Sequence, residues 1–300
     1  MAETPRTTPS APPAAPAGRP ERPRPAPLVG EVVRTRWLTP DLVRVVVGGP
    51  GMRAFEPSPH ADAYVKLVLL PEAAGAARPR RPDGRLDLDA VRAALPADDQ
   101  PRLRSYTVRA HDPRAHELTL DVVVHGTAGV AGPWAAAAQP GDEALVIGPG
   151  GAWSPDPAAS SHLLVGDASA LPAIAVALER LPEHAVGHAV IQVDDPADVL
   201  PLAAPAGVEV RWVHDPAALV PAVAALPPLA GPVSAFVHGE AGAVRELRRH
   251  VRVERQVPLE RLSVSGYWRR GADDEGWRAA KRTWLAEIEA AEQAVGLRSA

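Results

Sequence analysis

The sequence predicts a six-stranded antiparallel β-barrel followed by a parallel-sheet α/β domain, and three observations carry that prediction. Between Leu28 and about Gly148 the chain offers short β-branched runs bounded by Gly, Pro or Asp, the pattern of a small barrel. From Ser161 onward, apolar runs alternate with segments of helical period, the pattern of a doubly wound parallel sheet. The change of period falls at "GPGGAWSPDPAAS", a stretch rich in turn residues. The domains are therefore expected at 28–150 and 160–300.

Residues 1–27 hold nine prolines and no continuous apolar stretch, so a disordered Pro/Ala-rich tail is expected there rather than a signal peptide or anchor. Six strands follow: "LVGEVVRTRWL", "DLVRVVVGG", "AYVKLVLL", "RLRSYTVRA", "ELTLDVVVHG" and "EALVIG". Between the third and fourth, the polar insertion from Pro71 to Pro101 reads as a mobile loop with one helical turn outside the core. In the second half, "HLLVG" precedes "ALPAIAVALERL", "HAVIQV" leads to "GVEVRWV" and then "PAALVPAVAAL", "VSAFVHG" precedes "EAGAVRELRRHVRVE", and "LSVSGYW" precedes a long amphipathic helix.

Composition narrows the function. With 32 basic and 36 acidic residues spread along the chain and a net charge of −4, there is no footprint for nucleic acid. No run is long and apolar enough to insert in a membrane, so a cytoplasmic protein is expected, acting as a monomer. Without cysteine there is no disulfide, thiol nucleophile or thiolate metal site, and redox chemistry would need a borrowed cofactor. His184 and His188 stand four apart, but Gly187 and the strand after it argue against a helix and no third ligand is near, so no metal site is expected. Lys66 and Lys281 are the two lysines of an arginine-rich chain, which marks them for attention.

Three stretches carry chemistry. On a strand, Arg104 and Tyr106 point to one face and Ser105 and Thr107 to the other. A guanidinium there can hold a phosphate in two bonds beside a tyrosine packed on a flavin ring, or it can pair with an acid beside a core tyrosine. After "DVVVHG", the small-residue turn to Ala131–Trp134 exposes N–H groups at a helix N-terminus, where a pyrophosphate is favoured. "VGDASALPAI" ends the first parallel strand and opens a helix, so Gly166, Asp167, Ala168, Ser169 and Ala170 form a crevice suited to a dinucleotide. Asp194, Asp195 and Asp215 follow the next two strands, where they would accept from a ribose hydroxyl and repel a 2′-phosphate, favouring NADH over NADPH, or would simply cap turns.

The ordered set "YVKLVLLP", "RSYTVR", "DVVVHG", "GVAGPWAAAAQPGD", "GPGG", "VGDASALPAI", "HGEAGAVRELRRH" and "SGYWRRGADDEGWRAAKRTW" resembles the siderophore-interacting protein family, FAD-dependent ferric-siderophore reductases of the ferredoxin-reductase-like superfamily. The resemblance implies an FAD-binding barrel and an NAD(P)H-binding-like second domain. It implies that Arg104, Ser105, Tyr106, Thr107, His125, Gly126, Ala131, Gly132, Pro133 and Trp134 hold FAD, with Tyr106 and Thr107 at the reacting edge. It further implies nicotinamide binding by Gly166–Ala170, Gly239 and Glu240, and capture of an anionic ferric siderophore by Lys66, Lys281 and Arg282. NADH, NADPH or ferredoxin would donate electrons, and iron would arrive with the substrate. Three departures stand out: Ala168 and Ser169 where the family carries Glu and Thr, Pro133 where it often carries a basic residue, and Asp215 where an arginine is expected.

Overall fold

The computed structural model describes residues 25–75 and 78–297. All six expected barrel strands form: β1 (Leu28–Thr39), β2 (Leu42–Gly48), β3 (Tyr64–Leu69), β4 (Arg102–Thr107), β6 (Glu117–Val123) and β7 (Glu143–Gly150). A seventh, β5 (Ala110–Asp112), pairs with β6 and was not expected, because only two residues separate it from β4. The order is β4-β3-β7-β1-β2-β6-β5, with every pair antiparallel. Just past β4 the sheet curls back on itself, where Arg109 N–H donates to the Thr119 carbonyl of β6 at 3.0 Å. Alternation along the strands fills the interior with Val43, Val45, Val47, Val65, Leu67, Leu118, Leu120 and Val146.

Two sequence expectations need correction here. Most of the 1–27 tail lies outside the described residues, but Ala26 is buried and the Pro27 carbonyl accepts from Leu86 N–H at 3.1 Å, so the fold starts slightly earlier. The described residues of the 71–101 insertion are anchored rather than loose. They carry helix α1 (Leu88–Ala93), capped by Asp87, and they bury Leu86, Leu88 and Val91 against Val68 and Leu145 of the barrel. Three buried apolar side chains are enough to hold a polar segment down, each contributing about 1.5–3 kcal/mol.

After the short helix α2 (Ala131–Ala137) and β7, the chain enters the second domain. Strands β8 (Ser161–Asp167), β9 (Val186–Gln192), β10 (Gly207–Val213), β11 (Val233–Glu240) and β12 (Leu262–Trp268) form a parallel sheet of order β10-β9-β8-β11-β12. Helices α3 (Leu171–Arg180), α4 (Leu219–Ala224) and α5 (Ala241–Arg249) supply its crossovers. The order reverses at β8, where Gly166 and Asp167 end the strand, which is where open α/β sheets place their ligand crevice. Helix α6 (Asp274–Ala294) then runs back across β12, with Trp277 and Trp284 buried edge to face at 5.3 Å. No helix among the described residues is long and apolar enough to cross a membrane.

The domains share their packing. Leu42 and Ala61 of the barrel sit in one apolar cluster with Leu164, Leu171, Ile174 and Leu178, and Asp41 N–H donates to Asp198 Oδ1 at 3.0 Å. Arg109 also forks onto Glu179 of α3, with Nη1 at 3.0 Å.

Candidate functional site

Register fixes the first wall of the site. Lys66 stands opposite Ser105 and Tyr64 opposite Thr107, so these four share one face of β3 and β4. Arg104 and Tyr106 take the other face, across from Leu67 and Val65. Tyr106 packs against the barrel core together with Val108 and Trp134. Burial pushes its hydroxyl pKa well above the ordinary phenol range, against a smaller opposing pull from Arg104, so the hydroxyl stays protonated.

Arg104 does not stand free. Its Nη1 donates to Glu275 Oε1 at 2.7 Å and Asp274 Oδ2 at 3.1 Å, and its Nη2 to Glu275 Oε2 at 3.1 Å. Of the two roles open to it in the sequence, the structure shows the pairing with acids beside a core tyrosine. The hydrogen bond from Arg104, with its charge behind it, holds the Glu275 carboxyl down at about 2. Arg102 adds a 3.3 Å contact to Glu275, and Arg278 donates to the Leu103 carbonyl. The first turn of α6 therefore clasps β4.

The second wall is the turn after β6. Residues 125–130 are all exposed, with Gly126 at φ 55° and Gly129 at φ 74°. They lead into α2, whose N-cap Val130 supplies no side-chain acceptor, so its first-turn N–H groups have no side-chain cap. Ala131 and Gly132 are buried in the seat of the turn, and Pro133, lacking an N–H, occupies an early helical position. An exposed small-residue turn of this kind, with no side-chain cap, fits a pyrophosphate.

The crevice at the end of β8 is organised by Asp167. Its carboxylate accepts from Ser169 N–H at 2.9 Å, from Ser169 Oγ, from Glu240 N–H at 2.7 Å and from Trp268 Nε1 at 2.8 Å. Burial raises its pKa while these four donors oppose the rise. Gly239, at φ 140°, leaves room for this carboxylate, because a Cβ there would lie 2.6 Å from Oδ2. Glu240 is spent on capping α5 through Gly242 and Ala243 N–H. Asp167 and Glu240 thus shape the crevice, while Ala168 lines it. The role of Trp268 was invisible in the sequence, since its partner lies 101 residues away.

Of the three acids past β9 and β10, Asp195 and Asp215 cap turns at Ala197 and Ala217 N–H, and Asp194 accepts from Gln192 at 2.8 Å. Asp194 also borders an interdomain cleft lined by Thr39, Asp41, His125, Ala168 and Leu171. Three separate sequence candidates, His125, Ala168 and Asp194, therefore meet at one place.

The basic residues divide. Lys66 lies partly exposed on the Tyr64–Thr107 face. Lys281 donates from Nζ to Ser265 Oγ on β12 at 2.8 Å, and burial lowers its pKa. An α6 packed against β12 turns Lys281 inward and leaves Arg282 on the exposed face. Near Lys281 lies His238, stacked on Phe236 at 3.9 Å and 2.9 Å from Ser263 Oγ, with its pKa pushed down to about 3 by burial and by the ammonium. His188 is in strand β9, with Nδ1 3.3 Å from Glu209, so the His184/His188 spacing does not lie on a helix.

Comparison with known proteins places this geometry. Residues 31–153 match the model of the siderophore-interacting FAD-binding domain, and residues 159–271 match that of the siderophore-interacting protein. An uncharacterised protein of Mycobacterium tuberculosis is 48% identical over 276 residues, covering 87% of this chain and 96% of its own length. The ferric vibriobactin reductase ViuB of Vibrio cholerae is 31% identical, with 87% and 96% covered. The NADPH-dependent ferric-chelate reductase of Escherichia coli is 30% identical, with 79% and 91% covered. Among solved structures, the siderophore-interacting protein SipS from Aeromonas hydrophila superimposes with a TM-score of 0.73 at 32% identity, covering 87% of this chain and 99% of SipS.

Proposed function

The chain belongs to the siderophore-interacting protein family, a family of FAD-dependent ferric-chelate reductases, and from that premise we propose that it reduces a ferric siderophore in the cytoplasm with electrons from a nicotinamide donor or ferredoxin. The observation that carries the reading is the meeting of the barrel turn and the β8 crevice at one interdomain cleft, with His125 from one domain and Ala168 and Asp194 from the other. Bound flavin supplies the exchange between a two-electron donor and one-electron acceptors. Fe(II) holds hard oxygen ligands more weakly than Fe(III), so reduction loosens iron from its chelator.

The protein's own residues do the placing. The Gly126–Gly132 turn offers N–H groups to the pyrophosphate, and Tyr106 and Thr107 on β4 orient the ring edge. Asp167, through Ser169, Glu240 and Trp268, holds the crevice open for the donor. Lys66 presents a cation toward an anionic ferric complex. Asp194 at the cleft favours NADH, since a 2′-phosphate beside that carboxylate would be repelled. Arg104 contributes by fixing β4 through α6 rather than by a free guanidinium.

One observation favours a second reading, a flavin reductase for another acceptor: with Lys281 bonded to Ser265, Lys66 is the single lysine left for anion capture. An anaerobic assay separates the two, pairing NADH, NADPH and reduced ferredoxin with several ferric siderophores and a neutral dye. Lys66→Ala is expected to cut siderophore efficiency about three- to tenfold, with a flatter salt dependence, and to leave FAD content and dye reduction unchanged. Absence of FAD, or dye reduction with no turnover of any ferric siderophore, would overturn the proposal.

A further inference from the structure

An exposed tryptophan beside a buried hydroxyl without a partner is an uncommon pairing, and the β1–β2 hairpin carries one. Trp37 leaves 48% of its surface in solvent although large aromatics usually bury most of theirs. Two residues on, Thr39 is only 8% exposed, and its Oγ1 has no hydrogen-bond partner among the described residues. Leaving such a hydroxyl unpaired is costly, and native structures usually satisfy it. A register shift between Trp37 and Thr39 breaks the strand's alternation there, so Trp37 stays in solvent while Leu38 packs against the α3 cluster and Thr39 turns into the hollow beside Leu42 and Leu171. That packing fixes the hairpin tip against the second domain.

Thr39 is also where two hollows meet. One is shallow and lined by Trp37, Leu38, Thr39 and Pro40. The other is the interdomain cleft that holds His125, Ala168 and Asp194. His125 begins the turn that opens α2, the seat of a pyrophosphate in the proposed function. Running from that turn, past a hydroxyl and a carboxylate, to a flat aromatic face, the surface offers in order what an adenosine presents: ribose hydroxyls, ring nitrogens and a stacking plane. We propose that Trp37 and Thr39 form an adenosine subsite, in which the adenine of a bound dinucleotide stacks on the Trp37 indole and the Thr39 hydroxyl takes a hydrogen bond from or gives one to the same group. The inference rests on the dinucleotide reading of the site and adds to it the residues that hold the adenosine end.

The test compares whole and truncated ligands on the full chain stripped of flavin. FAD and FMN are titrated by quenching of flavin fluorescence into the wild-type protein, Trp37→Ala, Trp37→Phe and Thr39→Val. Base–aromatic stacking predicts a loss of about tenfold or more in FAD affinity for Trp37→Ala. FMN, which has no adenosine, should bind all four proteins alike, Trp37→Phe should keep most of the FAD affinity, and Thr39→Val should lose several-fold for FAD alone. If the adenosine is the nicotinamide donor's, both flavins stay unchanged, while KM rises about tenfold for NADH and not for reduced nicotinamide mononucleotide. Equal losses of FAD and FMN, or no change with any of these ligands, would overturn the subsite. A wild-type chain that takes up neither flavin would overturn the flavin reading itself and the subsite with it.

Discussion

The Arg104–Glu275 pair offers the most direct test of how the C-terminal helix is held to the barrel. Arg104 is 17% exposed, while Glu275 and Asp274 are 37% and 27% exposed, so the cluster is neither buried nor free in water. Two unit charges 4 Å apart at an effective dielectric of 20 attract by about 4 kcal/mol before desolvation and side-chain ordering are subtracted. Screening of the partly exposed Glu275 reduces this further, and a coupling energy of about 1–2 kcal/mol is expected, between surface and buried limits. The assay is a double-mutant cycle of Arg104→Ala and Glu275→Gln by urea unfolding. For a chain of this size the single changes should each lower Tm by about 3–6 °C. The pH dependence has a definite sign. Because pairing holds Glu275 at about 2, below its ordinary value of 4.5, its contribution is complete above pH 4.5 and is lost as pH falls toward 2. Glu275→Gln should remove that acid limb. Coupling below about 0.3 kcal/mol would refute the pairing, and so would a hundredfold loss of FAD affinity in Arg104→Ala with none in Glu275→Gln, which would assign the guanidinium to a phosphate.

Two further outcomes follow from buried groups. Glu292 of α6 accepts both fork atoms of Arg248, at 2.6 and 2.8 Å, with both side chains about 5% exposed. Glu292→Ala strands that cation and should cost about 3–5 kcal/mol in chemical unfolding, whereas Glu287→Ala, which removes an exposed partner of Arg245, should change stability by less than about 0.5 kcal/mol. His238 has its pKa held at about 3, below the ordinary 6.5, so the stability it contributes is complete above pH 6.5 and declines as pH falls toward 3. At pH 4.5 the loss should be about 2–3 kcal/mol, and His238→Phe, which keeps the stack on Phe236, should flatten stability between pH 6.5 and 4.5; an unchanged slope would mean that another group, Glu275 included, carries it.

Local pattern carried the strands, because β-branched runs between turn residues define where a strand can start and stop. It failed at β5, which is three residues long and follows β4 with no turn signal between them. In the 71–101 insertion the polar majority hid three anchoring residues, Leu86, Leu88 and Val91, too few to show a period. At the site, the turn after His125 and the crevice after β8 were legible, since each is a contiguous stretch whose chemistry lies in its own backbone. Long-range partnership was not. The acids that take Arg104 lie 170 and 171 residues away, and nothing in "RLRSYTVRA" announces them. Lys281 stands out in the sequence as one of two lysines, but the side of α6 it occupies depends on how Trp277 and Trp284 seat the helix.

These long-range contacts also decide what sort of cleft the two domains make. A hinged pair would meet through a polar, loosely packed interface and close on its ligand. Here Leu42 and Ala61 of the barrel lie inside the apolar cluster built on α3, and around it sit Asp41–Asp198, Arg109–Glu179 and the clasp of α6 on β4. The first contact lies beside the His125–Ala168 cleft, and the last binds the strand that bears Tyr106 and Thr107. The wall that would meet the flavin and the crevice that would meet the donor are therefore fixed relative to each other before either ligand arrives. Electron transfer between two bound partners needs that fixed placement more than it needs a side chain that moves a proton, and no proton-transfer residue has to be found at the cleft for the proposed reaction to run.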